Sequence, residues 1–267
     1  MTIQAKKSLG QNFLKNDGVL QKIADTGDIS ASDIVLEVGP GEGALTEKLL
    51  EKGCKVIAVE KDHRLIEILK EKFSKEIKNK KFELIEGDIL STPRTVLDIG
   101  KYKIIANIPY YITGQFLRKF LETDYQPSEI IVMVQKEIAD RIVANDGKES
   151  ILSISVKVYG SPEIIMKVSR GSFQPSPNVD SAVLQISNIS KKLFTENSIE
   201  EEQFFEIIKL GFSSKRKMLL GNLKKEFPNK NLQQIFIDCK ISEKIRAEDL
   251  SLEKWMGLVT QLRKDRP

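Results

Sequence analysis

The feature that most constrains the fold is a repeated alternation of short apolar runs with segments of helical spacing. The run at 34–38 ends in glycines, and the segment that follows it, 44–52, carries its leucines on one helical face. Later runs follow the same pattern, at 54–59, 82–85, 102–106 and 130–134. Runs of this length are typical of buried parallel strands, and their alternation with helices predicts a doubly wound, Rossmann-like α/β sheet.

The pattern changes in the last third of the chain. Residues 179–186 alternate and predict a final strand, whereas 151–159 is rich in β-branched residues and by pattern alone could also be a strand. Helical spacing then dominates, at 204–212, 217–227, 232–237 and 252–262. We therefore predict a sheet domain of residues 1–187 and a small helical domain of residues 188–267.

Composition excludes several kinds of site. His63 is the only histidine, and Cys54 and Cys239 have no CxxC spacing, so a His-based triad, a zinc site and a disulfide framework are not expected. We expect His63 on the surface, both thiols buried and reduced, and no metal. No apolar run approaches the roughly 18 residues of a membrane span, and the first ten residues lack an apolar signal core. These observations favour a cytoplasmic protein, and we expect a monomer.

The net charge of +4 lies entirely in the last third of the chain. Residues 189–267 carry 16 basic and 12 acidic side chains, which gives 16 − 12 = +4, and the remainder is neutral. A solvated surface accounts for such a bias in most proteins. It favours an anionic partner only if another feature of the sequence calls for one.

A glycine-rich segment, 37–43, joins the first predicted strand to its helix. Gly39 and Gly41 would let a ligand approach the backbone, next to free N–H groups of the helix N-terminus. Glu60 closes the second strand and could accept from ribose hydroxyls, and Asp88 closes the third and could accept from an adenine amine. Because such sheets bind ligands beyond the carboxyl ends of their strands, the pattern predicts an adenosyl cofactor. The GxGxG spacing leaves both NAD and S-adenosylmethionine open.

Residues 107–110, which follow the fourth predicted strand, suggest a reaction. The lone pair of adenine N6 is delocalised into the ring, so acceptors that hold its N–H hydrogens favour a nucleophilic geometry. The Asn107 carboxamide oxygen and a main-chain carbonyl near Pro109 could supply them, and Tyr110 offers a flat face to an extruded base. A sulfonium donor needs no strong general base, so the presence of only one histidine in the chain does not exclude this reaction. Without the glycine segment, an Asn-Pro turn with a core tyrosine would be the simpler interpretation.

These motifs together resemble the KsgA family of small-subunit rRNA adenine dimethyltransferases, whose relatives include the Erm enzymes of large-subunit rRNA. The resemblance runs nearly end to end, through residues 10–14, 37–43, 60, 87–88, 107–110 and 173–179. It implies a class I methyltransferase sheet of seven strands, S-adenosylmethionine as the cofactor, and a helix rather than a strand at 151–159.

The resemblance also implies a role for each motif. The cofactor would be held or covered by Asn12, Leu14, Gly39, Gly41, Glu60, Asp88 and Asn107. The target adenine would be gripped by Asn107, Pro109 and Tyr110, with Phe173 stacked on its second face. At the next position, Tyr111 stands where many bacterial members have Asn.

The implied reaction is dimethylation of N6 of two adjacent adenosines in the 3′-terminal hairpin of small-subunit rRNA, within a maturing pre-30S particle. Lys215-Arg216-Lys217 and 246–251 resemble the C-terminal domain of the KsgA family, in which the basic run would lie against rRNA phosphates. Three alternatives stay open. They are an Erm-type enzyme, a nicotinamide-dependent oxidoreductase, which leaves 107–110 and Phe173 without a role, and a ribosome-assembly factor without catalysis.

Overall fold

A computed structural model describes residues 4–6, 9–93 and 100–263. The strands are β1 (Phe13–Leu14), β2 (Ile34–Val38), β3 (Lys55–Glu60), β4 (Phe82–Glu86), β5 (Lys103–Asn107), β6 (Glu129–Gln135), β7 (Ser161–Val168), β8 (Phe173–Gln174) and β9 (Ser181–Ser187). The helices are α1 (Asp17–Thr26), α2 (Ala44–Glu51), α3 (His63–Lys72), α4 (Ser74–Lys78), α5 (Thr113–Leu121), α6 (Lys136–Val143), α7 (Ile151–Lys157), α8 (Lys192–Asn197), α9 (Glu201–Gly211), α10 (Leu219–Leu223), α11 (Leu232–Asp238) and α12 (Leu252–Arg263).

A seven-stranded sheet has the order β4-β3-β2-β5-β6-β9-β7. Strands β2 to β6 run parallel to one another, and β9 pairs antiparallel with both β6 and β7. The register of β2 with β3 runs from Ile34 opposite Lys55 to Val38 opposite Val59, so the two strands end side by side. The predicted Rossmann-like α/β sheet is confirmed, and the carboxyl ends of its central strands meet at one edge.

The central strands are buried along most of their length, which explains their unbroken apolar sequence. Helix α1 contributes Val19, Leu20 and Ile23 to the same core cluster. The helix begins at Asn16, whose side chain accepts a hydrogen bond from the Val19 N–H at 3.2 Å. Each such buried aliphatic side chain stabilises the fold by about 1.5–3 kcal/mol.

Strand β7 is not predicted by the sequence pattern. Pro162, Glu163 and Lys167 interrupt its apolar residues, and a register shift against β9 between Ile164 and Met166 breaks the alternation. The strand lies at the edge of the sheet, where one side of its backbone needs no ladder partner, so a proline and charged side chains are tolerated there.

The chain divides into two compact units. One comprises residues 1–139 and 161–189, and the other comprises residues 140–160 and 190–267. Helix α7, Ile151–Lys157, confirms that 151–159 is mainly helical, and this helix belongs to the second unit. Ser150 and Ser153 form a reciprocal capping box at its start, and this local signal outweighs the β-branched pattern.

The second unit is built from helices and an aromatic core. The ring of Tyr159, which follows α7, packs at 5.4 Å from that of Phe194 in α8, a helix that the pattern does not predict. Trp255 in α12 is fully buried and stacks on Phe212 at 5.8 Å. The helices predicted at 204–212, 232–237 and 252–262 are confirmed as α9, α11 and α12, whereas the one predicted at 217–227 is the shorter α10.

The single histidine and the two cysteines all lie among the described residues. His63 is 76% exposed and its Nδ1 lies 2.9 Å from Glu86, as expected for a surface side chain. Neither cysteine forms a disulfide within the described residues. Cys54 is buried, but Cys239 is only half-buried, so the expectation of two buried thiols was wrong for Cys239. In residues 4–6, 9–93 and 100–263, no helix has the length and apolarity needed to cross a bilayer, and no group of three or more His, Cys, Asp or Glu side chains could hold a metal ion.

A close approach at Gly211 supplies a test of the packing in the second unit. A Cβ on Gly211 would lie 2.3 Å from the Trp255 ring, whereas a Cβ on Gly257, in the exposed interior of α12, would meet open space. We predict that Gly211→Ala lowers the free energy of unfolding by about 1–3 kcal/mol because the core must shift. Gly257→Ala should instead raise it by about 0.5–1 kcal/mol. Urea denaturation of both variants measures the pair, and equal effects would contradict this packing.

Candidate cofactor and active site

The carboxyl ends of β2, β3, β4 and β5 open into a cleft with an empty volume of about 1070 Å³, its open mouth included. The cleft is concave and open to solvent, as ligand sites at the carboxyl ends of parallel strands usually are. The structure brings nearly all of the predicted site residues into its wall. They are Asn12, Leu14, Gly39, Gly41, Glu60, Asp88, Asn107, Pro109 and Tyr110.

The glycine segment forms the floor of the cleft between β2 and α2. Gly39 and Gly41 have φ angles of +67° and +59°, a region that side chains with a Cβ rarely adopt. A Cβ on Gly39 would meet nothing within 4 Å, whereas a Cβ on Gly41 would lie 3.0 Å from the Phe13 ring. The backbone at Gly39 is therefore open to a ligand, whereas the ring of Phe13 packs closely over Gly41.

Glu60 is a buried carboxylate at the end of β3. Its Oε2 accepts from the Gly41 N–H at 3.2 Å and its Oε1 from the Asp62 N–H at 2.8 Å. Burial raises the pKa of this carboxyl, while these backbone donors favour its charged form. The two bonds fix the carboxylate and leave further lone pairs for donors such as ribose hydroxyls, so the residue fits the cofactor role predicted for it.

Glu37, at the fourth position of β2, is a second acidic group of the cleft wall, and the sequence did not single it out as a site residue. It is 1% exposed and accepts from the Thr46 hydroxyl at 2.7 Å. Burial raises the pKa of Glu37 to about 8, and the nearby Glu60 contributes to that rise. With a pKa of about 8, the Glu37 carboxyl is largely protonated at neutral pH, so it adds a hydrogen-bonding group rather than a charge to the cleft wall.

Asp88 lies at the end of β4, where its Oδ1 accepts from the Leu90 N–H at 2.9 Å and its Oδ2 pairs with the Lys61 ammonium at 2.8 Å. The Lys61 ion pair lowers the pKa of Asp88 below its ordinary value. Lys119 of α5 holds the following loop by donating to the carbonyls of residues 89, 90 and 92 at 2.6–3.1 Å. The Asp88 carboxylate is thus held in a fixed turn at the cleft wall.

Asn107 ends β5 and points its carboxamide into the cleft wall. Its Nδ2 donates to the Asn12 carbonyl at 3.3 Å, which leaves the carboxamide oxygen available as an acceptor. Pro109 leads into a 3₁₀ turn, Tyr110–Ile112, and the Tyr110 hydroxyl is hydrogen-bonded to the buried Ser181 hydroxyl of β9. That bond fixes the ring of Tyr110 at the edge of the cleft.

Phe173 is the predicted site residue that the structure does not bring into the cleft. It lies in β8, pairs with Leu14 of β1, is 5% exposed and belongs to the core cluster. The pairing of β8 with β1 was not predicted, and it joins the segment before β9 to the N-terminal segment that lines the cleft. The stacking role of Phe173 stays a prediction.

The raised pKa of Glu37 gives a prediction on stability without cofactor. The folded-state pKa of about 8 lies above the value of 4.5 expected for an unfolded chain, so only the folded state keeps the proton between these pH values. Relative to Glu37→Gln, which is neutral in both states, the wild type should lose about 1.4 kcal/mol of unfolding free energy per pH unit in this window. Urea titrations at pH 5, 6, 7 and 8 measure this; parallel profiles for the two proteins would contradict the assignment.

Comparison with known proteins identifies the family. The model of the ribosomal RNA adenine dimethylase family matches residues 2–264. The chain is 43% identical to ribosomal RNA small subunit methyltransferase A of Dehalococcoides mccartyi strain CBDB1 over 96% of this chain and 88% of that one. It is 38% identical to the protein of the same name from Fusobacterium nucleatum subsp. nucleatum, over 97% and 98%.

Two solved structures extend the comparison to the fold. A dimethyladenosine transferase from Plasmodium falciparum is 30% identical and superimposes with a TM-score of 0.80 over 94% of this chain and 98% of that one. The 23S rRNA methyltransferase ErmE, at 24% identity and a TM-score of 0.75 over 95% and 100%, shares the fold. The predicted KsgA-family resemblance and cofactor are confirmed. The chain belongs to the ribosomal RNA adenine dimethylase family and is an rRNA adenine dimethyltransferase that uses S-adenosylmethionine as its methyl donor.

Proposed function

We propose that this enzyme dimethylates N6 of two adjacent adenosines in the 3′-terminal hairpin of small-subunit rRNA, as a monomer acting on pre-30S particles in the cytoplasm. The relatives named small subunit methyltransferase A support the choice of subunit. The observation that carries the chemistry is the position of Asn107, whose carboxamide oxygen remains an acceptor at the edge of the cleft where the strands end.

Different residues of the cleft would bind different parts of the cofactor. When bound, S-adenosylmethionine supplies a methyl group activated by its positively charged sulfur. Residues 39–41 would receive its methionine part, Glu60 its ribose and Asp88 its adenine, each at the end of a successive parallel strand. Asn12 and Leu14 would cover it from the N-terminal side. Binding in this manner would hold the methyl donor in the same cleft as residues 107–110.

Asn107 and its neighbours would prepare the target amine. The carboxamide oxygen and a main-chain carbonyl of residues 108–109 would accept the two N6 hydrogens, which localises the nitrogen lone pair for in-line attack on the methyl carbon. As the N–C bond forms, the S–C bond breaks, and the proton leaves the product amine to water. A second transfer to the same nitrogen requires a fresh cofactor and one acceptor only.

Aromatic stacking would hold the extruded base. Tyr110 is fixed by Ser181 and presents its ring, and stacking of a base is worth about 1–3 kcal/mol. For Phe173, the proposed stacking on the second face requires its ring to turn out of the core when RNA binds, because the side chain is buried in this structure. Phe173→Leu, which keeps an apolar side chain, would separate stacking from packing.

A basic surface in the second unit supports docking on RNA. One loop exposes three basic side chains, those of Lys215, Arg216 and Lys217. Asn222 anchors this loop, because its Nδ2 donates to the Gly211 and Ser214 carbonyls at 2.6 and 3.1 Å. The Leu219 N–H donates to the Ile245 carbonyl at 2.9 Å, which places this loop beside residues 244–246. The surface thus comprises Lys215, Arg216, Lys217, Lys244 and Arg246. Within the described part of the chain none of them forms an ion pair, so their charges are available to phosphates.

Replacing Asn107 tests the chemistry. We predict that Asn107→Ala lowers the methylation rate by about 10²–10³-fold, in the range found for removal of a hydrogen bond made in a transition state. Binding of S-adenosylmethionine, measured calorimetrically, should weaken much less. Asn79→Ala, an exposed asparagine after α4, is the control and should behave as wild type. Unchanged methylation by Asn107→Ala would remove the proposed mechanism.

Replacing the basic loop tests the docking. We predict that a Lys215→Ala, Arg216→Ala, Lys217→Ala triple variant binds RNA more weakly and with a smaller salt dependence. The slope of log affinity against log salt should fall by about 0.7–0.9 for each phosphate that the variant no longer neutralises. A triple variant of the exposed Lys75, Lys78 and Lys80 makes the same charge change elsewhere and should keep the wild-type slope. An equal fall in both variants would mean that RNA is held by non-specific attraction to net charge.

A further inference from the structure

Asp62 stands where the cofactor cleft meets the N-terminal segment of residues 9–14, here called the strap. It follows Glu60 by two residues and is the N-cap of α3, with its Oδ1 accepting from the Arg64 N–H at 3.2 Å. Capping requires one such bond, and a capping side chain can stay open to water. The Asp62 side chain, however, is fully buried, and it accepts several further donors.

These donors come from α3 and from the strap side. The Arg64 guanidinium donates to both carboxylate oxygens, at 3.0 and 2.7 Å. Gln11 donates from its Nε2 to Oδ2 at 2.8 Å, and the Lys6 ammonium lies 3.5 Å from Oδ1. The other end of the Gln11 amide accepts from the Lys6 N–H at 2.7 Å. Because Arg64 holds the pKa of Asp62 far below its ordinary value, the carboxyl is charged at every working pH.

The strap continues from Gln11 along the wall of the proposed cofactor site. The next carbonyl, that of Asn12, accepts from Asn107, and the ring of Phe13 packs against Gly41. Asp62 reaches the same site through its main chain, because its N–H donates to the Glu60 carboxylate at 2.8 Å. One residue thus fixes both the carboxylate proposed to bind ribose and the segment proposed to cover it.

We propose that Asp62 is a positioning residue that fastens the strap over the cleft through Gln11 and thereby slows the departure of S-adenosylmethionine. This proposal rests on the proposed function in one respect, the placement of the cofactor beneath Asn12 and Leu14. The Asp62–Gln11 bond joins parts of the chain 51 residues apart and is buried from solvent on the aspartate side, so neither local helix capping nor surface solvation accounts for it.

Two substitutions separate the strap bond from the cap. Asp62→Ser keeps an oxygen that can cap α3 but is too short to reach Gln11 and Arg64 together. Among the contacts of Asp62, Gln11→Ala leaves the cap, the Arg64 bonds and the Lys6 ion pair in place and removes only the Gln11 bond. Asn231→Ala is the matched control, because Asn231 caps α11 in the same way, with its Oδ1 accepting from the Gln234 N–H at 3.1 Å, in the other unit.

The experiment measures two quantities on the purified full chain, the rate at which bound S-adenosylmethionine dissociates and the hydrogen exchange of amides 9–14. Removal of a buried hydrogen bond to a charged group should speed dissociation about tenfold in Asp62→Ser and in Gln11→Ala. Strap amides should exchange faster in both. The double variant should be no faster than the Asp62→Ser variant, since both substitutions remove the same bond, and Asn231→Ala should match wild type.

Wild-type dissociation and exchange in Gln11→Ala would overturn the proposal, even if Asp62→Ser were altered, because the effect would then lie in the cap of α3. Multiplicative effects in the double variant would overturn it as well. A different result would contradict the proposed function instead. If saturating S-adenosylmethionine left the exchange of amides 9–14 in the wild type unchanged, the cofactor would not lie beneath the strap. The two failures are therefore distinguishable.

Discussion

Parallel pairing of β2, β3, β4 and β5 is the constraint on which the site depends. Adjacent parallel strands share a direction, so their carboxyl ends lie at one edge of the sheet. Each of these strands is followed or closed there by a polar group that lines the cleft. Glycine backbone follows β2, carboxylates close β3 and β4, and a carboxamide closes β5. Residues that are far apart in sequence thereby line one cleft, and the helices and loops serve to fix their orientation.

Burial and neighbouring charges shift the pKa values of the acidic groups at this edge in opposite directions. Glu37 and Glu60 are both buried in the cleft wall, and burial raises the pKa of each. Asp62 and Asp88 lie at strand ends beside cations, and the pKa of each is lowered. Burial and neighbouring cations therefore move the pKa values of the same kind of side chain in opposite directions at nearby positions.

Sequence reasoning succeeded where a short pattern determines the structure. The apolar runs, the glycine segment and the polar strand ends predicted six strands of the sheet and placed Glu60, Asp88 and Asn107 in one cleft. It failed where long-range contacts decide. Strand β7 is hidden by Pro162 and its charged neighbours, because edge position compensates for a poor pattern.

Three single residues show the same limit. Asp62 has the sequence pattern of an ordinary helix cap, and only the folded chain brings Gln11 onto it. The burial of Phe173 follows from its pairing with Leu14, 159 residues earlier, which no local pattern encodes. Cys239 lies in a region of mixed exposure, and composition alone could not distinguish half-burial from full burial.

The most direct test of the proposed reaction uses the wild-type enzyme, methyl-labelled S-adenosylmethionine and small ribosomal subunits that lack adenine dimethylation. After the reaction, the rRNA is digested and the labelled nucleoside is identified and mapped. We predict label in N6,N6-dimethyladenosine at two adjacent positions near the 3′ end of the small-subunit rRNA. Label on large-subunit RNA instead, or binding to small subunits without any transfer of label, would contradict it.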